Sequence, residues 1–367
     1  MSATAGKLSF EPGGDFIRET RRDVELYLAS GRVRARGRLH MYLKSLVSFG
    51  VLAGSWVSLV LVRPGLVLGL LSLAGLALGT IIVGFCVQHD ANHGAYFRTR
   101  RANHLLGWSA DALLGISSYT WRVKHNVANH TYTNVDGYDD DVDQIPFARL
   151  LPTQESRPWY RLQHLYIWPL YSLMVLRWQA GADIAAIVRG RIGQSVLHPP
   201  KRWDLAGFVV GKLVFVTWAI AVPLLVYPWW LVLLGYAAYS TVTSLVTATT
   251  FQLAHCVEEA DFTSPAELES SPRAWAVHEV ETTVDFCQHN RALTWLLGGL
   301  NFQIEHHLFP RVAHSHYPHV AEIVRRNAER HGVRYTVQPS LRAALRSHQR
   351  HLRALGRVGI PAPIEMG

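Results

Sequence analysis

The sequence predicts an all-α integral membrane protein, with four transmembrane helices in two hairpins and a cytosolic helical cap. Three observations lead there. The 367 residues are 49% hydrophobic and 17% charged, against about 25% charged in a soluble domain. The apolar residues are gathered into four long runs, three of them uncharged and the third in order holding only Lys212. The polar stretches between and after those runs repeatedly carry histidines in pairs.

Residues 1–44 hold nine Lys/Arg against five acids. They contain no short apolar run followed by small residues, so no signal peptide is expected. From 15 to 32 the pattern is mixed, with Phe16, Val24, Leu26 and Leu28 as contacts. It reads as a short interfacial helix, either docked on the membrane surface or simply solvated on one face. Residues 45–62 form an uncharged apolar run, Arg63-Pro64 breaks it, and 65–87 form a second. At about 1.5 Å per residue both cross roughly 30 Å of hydrocarbon. The connector admits only a tight hairpin. The basic N-terminal flank places residues 1–44 in the cytoplasm, and the second span returns there.

That span runs into HDANH. His89 and His93 stand one helical turn apart and can face one metal, with Asp90 placed to orient a histidine from behind. Residues 94–204 contain no clean span. The apolar stretches 105–121 and 165–178 are short and interrupted by Asp111 and Pro169, so they read as surface-lying or half-inserted helices. Between them lies HNVANHTYTN, with His125 and His130, and with Asn129 four residues from His125 on an α-helical face. Asp136, Asp139, Asp140, Asp141 and Asp143 follow. Such a run is more often a solvated loop or an arginine partner than a metal cage.

Residues 205–227 form the third span, with Lys212 expected to snorkel toward the interface. Tyr227, Trp229 and Trp230 mark the far interface. The fourth span, 229–254, runs into His255 as the second runs into His89. The last histidine group is NFQIEHHLFP, residues 301–310, with Gln303, His306 and His307. Helices are expected over 317–330 and 340–355, in a tail whose residues 311–357 hold ten arginines and two acids. The formal charge of +9 is accounted for by these basic flanks beside membrane spans, and no nucleic-acid partner is expected. The chain divides into an N-terminal interfacial segment (1–44), a membrane domain (45–310) and a basic cytosolic C-terminal region (311–367). Three cysteines without CxxC spacing argue against a disulfide framework or a zinc ribbon.

Seven histidines therefore stand at span ends or in paired boxes on one side of the membrane. That is too many for one tetrahedral zinc and suits two metals with nitrogen ligands. The boxes contain no cysteine, which disfavours an iron–sulfur cluster. A histidine-rich transporter is the competing class, but transport sites lie near the midplane on broken helices. Residue types and spacing alone reach a multinuclear histidine site beside apolar spans.

HDANH, HNVANHTYTN and NFQIEHHLFP resemble the three histidine boxes of the membrane fatty acid desaturase superfamily. FQLAHCVEEADF (251–262) is similar to the segment that carries that family's additional ligand. The Gln-led third box resembles those of front-end desaturases and related bacterial acyl-lipid or acyl-CoA desaturases. The resemblance covers residues 10–355. It implies a cytosolic cap holding two non-haem irons, ligated by His89, His93, His125, His130, His255, His306 and His307. No catalytic residue separate from the metal centre is implied. Asn129, Gln303 and Asp90 are implied as weak ligands or as hydrogen-bond partners of ligands. Dioxygen is the implied co-substrate, and a fatty acyl chain gains a cis double bond.

The chain departs from the family pattern at Asn129, where the usual box has a histidine. The departure leaves hydroxylation, acetylenation or loss of activity as alternative outcomes. The first 44 residues leave no room for a fused haem domain, so electrons are expected from a separate donor, a ferredoxin with its reductase. The basic tail would dock such an acidic partner or contact membrane lipid. The preference for Arg over Lys, 31 to 5, agrees with a bacterial plasma-membrane protein.

Overall fold

The computed structural model describes residues 8–357. The start of the N-terminal segment, residues 1–7, and the end of the basic tail, residues 358–367, lie outside the described residues.

Among the described residues, four helices are long and apolar enough to cross a membrane: Arg36–Val62, Leu66–His93, Arg202–Leu224 and Trp229–His255. Their apolar windows are only 11–44% buried inside the protein. Leu46, Leu66, Leu213 and Leu225 are among the large side chains left exposed. So much outward-facing apolar surface is stable only where lipid covers it.

The first of these helices begins earlier than the apolar run. Backbone helix starts at Gly31, directly after an extended Ser30, and continues through Lys44 into the span. No proline lies in the polar turns, so the helix extends through them and hydropathy alone misplaces its start. It closes in a π-helical turn, Ser58–Val62, and stops at Arg63 in the left-handed conformation. The first span packs along the second. Gly79 makes that approach possible, because a Cβ there would lie 2.8 Å from the Leu52 amide nitrogen.

The second span also packs against the fourth. These two helices end in His89–His93 and at His255 respectively. The third span packs along the helix Arg100–Leu114. That helix starts at a Thr99 side-chain cap and ends at Gly115, whose φ is 67°. Lys212 of the third span does not snorkel. Its ammonium lies 3.0 Å from Asp183 and donates to the Gly115 and Trp178 carbonyls at 2.7 and 2.9 Å. Those carbonyls sit at helix ends or in a π turn and need an external donor.

The N-terminal helix, Asp15–Ala29, buries Phe16, Thr20 and Val24. This face packs with Val320 and Val324 of the helix Tyr317–His331 and with Ile304 and Leu308 of the third box. Its mixed pattern therefore encodes tertiary packing around the histidine region, an outcome that neither sequence reading included. The last helix, Leu341–Leu355, lies against Gln163–Tyr171 and the fourth span. A short parallel pairing of Asp285–Phe286 with Val337–Gln338 ties the tail back to the segment before the third box. Cys86, Cys256 and Cys287 are buried and free.

Candidate metal centre

The first box is built by the second span itself. A π-helical turn, Gly84–Gln88, leads into the short helix His89–His93, which Gly94 ends at φ 79°. The imidazoles of His89 and His93 come to rest 4.6 Å apart, centre to centre.

The second box is π-helical over Lys124–Asn129, and the His130 amide bonds back to the His125 carbonyl at 3.0 Å. An i to i+5 bond winds the chain more loosely than an α-helix. It therefore aligns residues five apart. His125 and His130 meet with Nε2 atoms 3.2 Å apart. Asn129, which α-helical spacing would place beside His125, donates its side-chain nitrogen to Asp139 Oδ2 at 3.2 Å. Its side-chain oxygen is buried and unpartnered.

The third box is the short helix Gln303–Leu308. Asp285 Oδ1 accepts from the Ile304 amide at 2.9 Å and holds the helix start. His306 and His307 point into the cluster from consecutive positions. Gln303 Nε2 stands 3.1 Å from His255 Nε2 and 3.3 Å from His307 Nε2.

All seven histidines are buried. The ligand atoms of His89, His93, His125 and His306 lie within 4.8 Å of one another, as do those of His130, His306 and His307. His255 stands at the edge of the second group, its ring centre 5.1 Å from that of His307. Burial is the main force lowering the His125, His130, His306 and His307 pKa values, and neighbouring imidazoles add to it. His125 falls to about 4, even with Asp141 opposing. These rings are neutral at physiological pH, the state in which imidazole binds metal.

A neutral imidazole has one N–H. His306 Nδ1 faces the Tyr317 hydroxyl at 3.3 Å and His125 Nδ1 faces Asp141 at 3.9 Å. With protons on those nitrogens, the Nε2 lone pairs turn inward. The Nε2 atoms of His125, His130 and His306 stand 3.0–3.3 Å from each other. The lone pairs of His125 and His306, 3.3 Å apart, repel each other unless a cation lies between them. His89 Nε2 and His93 Nε2 are likewise buried without a hydrogen-bond partner. The donor set fits a resident metal.

Behind the rings stand Asp90, which its place in the first box suggested, and Glu279, which residue spacing did not reveal. Glu279, on the helix Trp275–Thr282, has Oε2 2.6 Å from His307 Nδ1 and accepts from Thr133 at 2.7 Å. Burial raises its carboxyl well above the ordinary range, with the Thr133 bond working against that rise. Asp90 Oδ2 lies 2.8 Å from His314 Nδ1, and its Oδ1 lies 3.5 Å from His89 Nδ1. The aspartate run is solvated only in part, since Asp143 is exposed and Asp136 half-buried. Asp139 is fully buried, and Asp140 and Asp141 hold Lys124 at 2.8 and 3.0 Å. Burial alone would raise the Asp141 carboxyl, but Lys124 and His125 pull it far below the usual carboxylate range.

An apolar cavity of about 50 Å³ touches His89, with Thr80, Phe85, Trp121, Trp178 and Phe251 among its walls. A larger one of about 250 Å³ lies farther along the spans, lined by Trp56, Leu76, Trp218 and Tyr239. Thr80 of the first and Tyr239 of the second are joined by a 3.2 Å hydroxyl contact.

The family model described as Fatty acid desaturase matches residues 64–339. The chain is 34% identical over 357 residues to the sn-1 linoleoyl-lipid 6-desaturase of Arthrospira platensis, covering 97% of this chain and 96% of that protein. It is 33% identical over 356 residues to the protein of the same name from Synechocystis sp., covering 96% and 99%. It is 34% identical over 346 residues to the Acyl-lipid (8-3)-desaturase of Physcomitrium patens, covering 93% of this chain and 72% of that protein. A matched family model, relatives of nearly the same length, four apolar helices and a buried histidine cluster converge on one conclusion: the chain belongs to the fatty acid desaturase family and is a membrane oxidoreductase.

Proposed function

We propose that the protein inserts a cis double bond into a lipid-linked fatty acyl chain, using dioxygen and a di-iron centre. The observation that carries this reading is the set of buried imidazoles whose ring nitrogens converge on one another. His89, His93, His125 and His306 would hold one iron, and His130, His255 and His307 the other, with Gln303 and Asn129 able to complete it through their amide oxygens. Bound irons supply the reduction of dioxygen and an oxidant strong enough to take hydrogen from an unactivated C–H bond. In the balance, two adjacent methylenes lose one hydrogen each, and dioxygen, two electrons and two protons leave as two waters.

The chain's own groups do the rest. The cavity beside His89 seats methylenes against the cluster, and its apolar walls keep out water. Trp121 packs 5.4 Å from both His89 and His93 and 4.4 Å from His125, covering the imidazoles on that side. Glu279, Asp141 and Tyr317 orient His307, His125 and His306 from behind. The relatives' names, which specify linoleoyl-lipid and acyl-lipid substrates, favour a lipid carrier over a free acid.

The topology follows the same reading. Two helical hairpins cross the bacterial plasma membrane, and both termini and the histidine cap lie in the cytoplasm. Residues 1–44 and 311–367 flank the membrane domain 45–310. A separate ferredoxin-type donor delivers electrons to the basic cytosolic face. Lipid profiling of an expressing host by gas chromatography and mass spectrometry tests the proposal. A new olefin, dependent on the histidines and on an added donor, supports it. A hydroxylated or alkynyl product, or no product with the metal loaded, overturns it.

A further inference from the structure

A polar cavity of about 680 Å³ opens between the start of the first span, the helix Arg291–Leu296 and the helix Tyr317–His331. Its walls carry three permanent cations, Lys44, Arg291 and Arg325, against one carboxylate, Glu322. Among the described residues, none of the three is ion-paired with a carboxylate.

Lys44 is the informative member. It is 2% exposed. Its ammonium lies 3.3 Å from His314 Nε2 and 5.1 Å from the centre of the Trp295 ring, and it also meets the Cys86 thiol. None of these neighbours is a carboxylate or a phosphate. His314 has its pKa lowered, mainly by burial, and its other nitrogen is engaged by Asp90 at 2.8 Å. A buried ammonium without a counter-ion costs several kcal/mol unless an anion reaches it. The cavity that Lys44 lines is where an anion can.

Depth narrows the chemistry. Lys44 is the last charged residue before the uncharged run 45–62. Its ammonium therefore sits where head groups meet hydrocarbon. Arg291 and Arg325 are exposed at the mouth. A concave site of this size suits a small group and not a protein face, and Lys with Arg is the pairing that takes phosphate oxygens.

We propose that this cavity binds the phosphate of an anionic membrane phospholipid, with Lys44 at its base and the two arginines at its rim. Glu322 on the same wall lowers the net charge and favours a singly charged phosphodiester over free dianionic phosphate. This inference rests on the membrane reading alone, not on the reaction at the histidines, so it stands or falls independently of desaturase activity.

The test is native mass spectrometry of the full-length protein released from nanodiscs. One set holds phosphatidylglycerol, a second a neutral galactolipid, and a third phosphatidylglycerol with inorganic phosphate as competitor. The expected result is one phosphatidylglycerol retained per chain and no retained galactolipid. Retention should weaken roughly tenfold for each charge-assisted contact removed, in Arg291→Gln and in Arg325→Gln. Lys44→Met should abolish it. Both arginines are exposed, so the Arg291→Gln/Arg325→Gln double variant decides the matter even if Lys44→Met fails to fold. Equal retention of galactolipid, or unchanged retention in the double variant, overturns the proposal. Displacement by millimolar inorganic phosphate marks a free-phosphate site and also overturns it.

Discussion

Glu279 Oε2 lies 2.6 Å from His307 Nδ1, and both residues are fully buried. The contact fixes which nitrogen of His307 carries the proton and turns Nε2 toward the cluster. Glu279→Gln keeps the shape and replaces the carboxyl beside His307 Nδ1 with an amide. Removing such a partner costs about 10- to 100-fold in metal affinity. We expect purified Glu279→Gln to carry fewer irons per chain by plasma mass spectrometry, with an unchanged helical circular dichroism spectrum. Full metal content would mean the carboxylate does not tune the site.

Asn129 tests the departure from the usual box. Its side-chain nitrogen is held by Asp139, and its buried oxygen is unpartnered. Two irons per wild-type chain are expected, with Asn129→Ala reducing that number or lowering the thermal midpoint. Leaving a buried polar group without its hydrogen-bond partner costs about 1–3 kcal/mol. Asn129→His restores an imidazole but gives up the Asp139 contact, so it should raise metal retention at some expense in stability. One iron or none in the wild type would count against a dimetal site.

The Thr80–Tyr239 contact stands between the cavity at His89 and the larger cavity beyond. Tyr239→Ala should join the two spaces and shift products toward longer acyl chains. Tyr239→Phe keeps the ring and loses only a hydroxyl, so its product lengths should match wild type. Identical product profiles for all three proteins would show that the acyl end lies elsewhere.

Gly79 and Gly50 form a matched pair on the first two spans. A Cβ at Gly79 meets Leu52 backbone at 2.8–2.9 Å, whereas nothing lies within 4 Å of a Cβ at Gly50. Gly79→Ala forces the helices apart, and overpacking of this kind costs about 1–3 kcal/mol. Gly50→Ala should be neutral or slightly stabilising, since alanine favours helix by about 1 kcal/mol. Thermal unfolding of the two variants in one detergent makes the comparison. Equal midpoints would refute the close packing of these spans.

Asp111 offers a pH test. Burial raises its carboxyl to about 7, although the Ser118 hydroxyl and amide and the Gln88 amide donate to it. The folded pKa exceeds the unfolded value of about 3.9. Its contribution is therefore complete below the unfolded pKa and is lost as pH rises toward 7. Asp111→Asn should flatten the decline in thermal midpoint between about pH 4 and 7. An unchanged slope would mean that Asp111 is charged in the fold throughout.

Much of this architecture was legible in the sequence, because lipid imposes simple rules. Apolar runs of span length, a two-residue break at Arg63-Pro64 and histidines at the ends of two runs were enough to expect four long apolar helices and a convergence of the boxes, and the structure has both among its described residues. What lay hidden depends on tertiary context. The helix at Gly31 begins in polar sequence because its start is set by the break at Ser30, not by hydropathy. Glu279 sits in an ordinary-looking helix, WAVHEVET, and only the fold carries it to His307. Asp139 and Asp141 look like a solvated acidic run because charge density says nothing of Lys124, Asn129 and His125 waiting to satisfy them. Phe16 and Val24 pack under the third box across some three hundred residues of chain, which no local pattern records.

The π-helical turn at Lys124–Asn129 has a consequence for how such boxes are recognised. Loosening one turn lets two imidazoles five positions apart meet as closely as two that are four apart do on the α-helical His89–His93 segment. To the metal, a spacing of four and a spacing of five are then the same instruction, written in two backbone dialects. A single-residue insertion or deletion inside a box need not dismantle the centre, provided the winding changes with it. Patterns that count residues rigidly will divide a family which the geometry leaves whole.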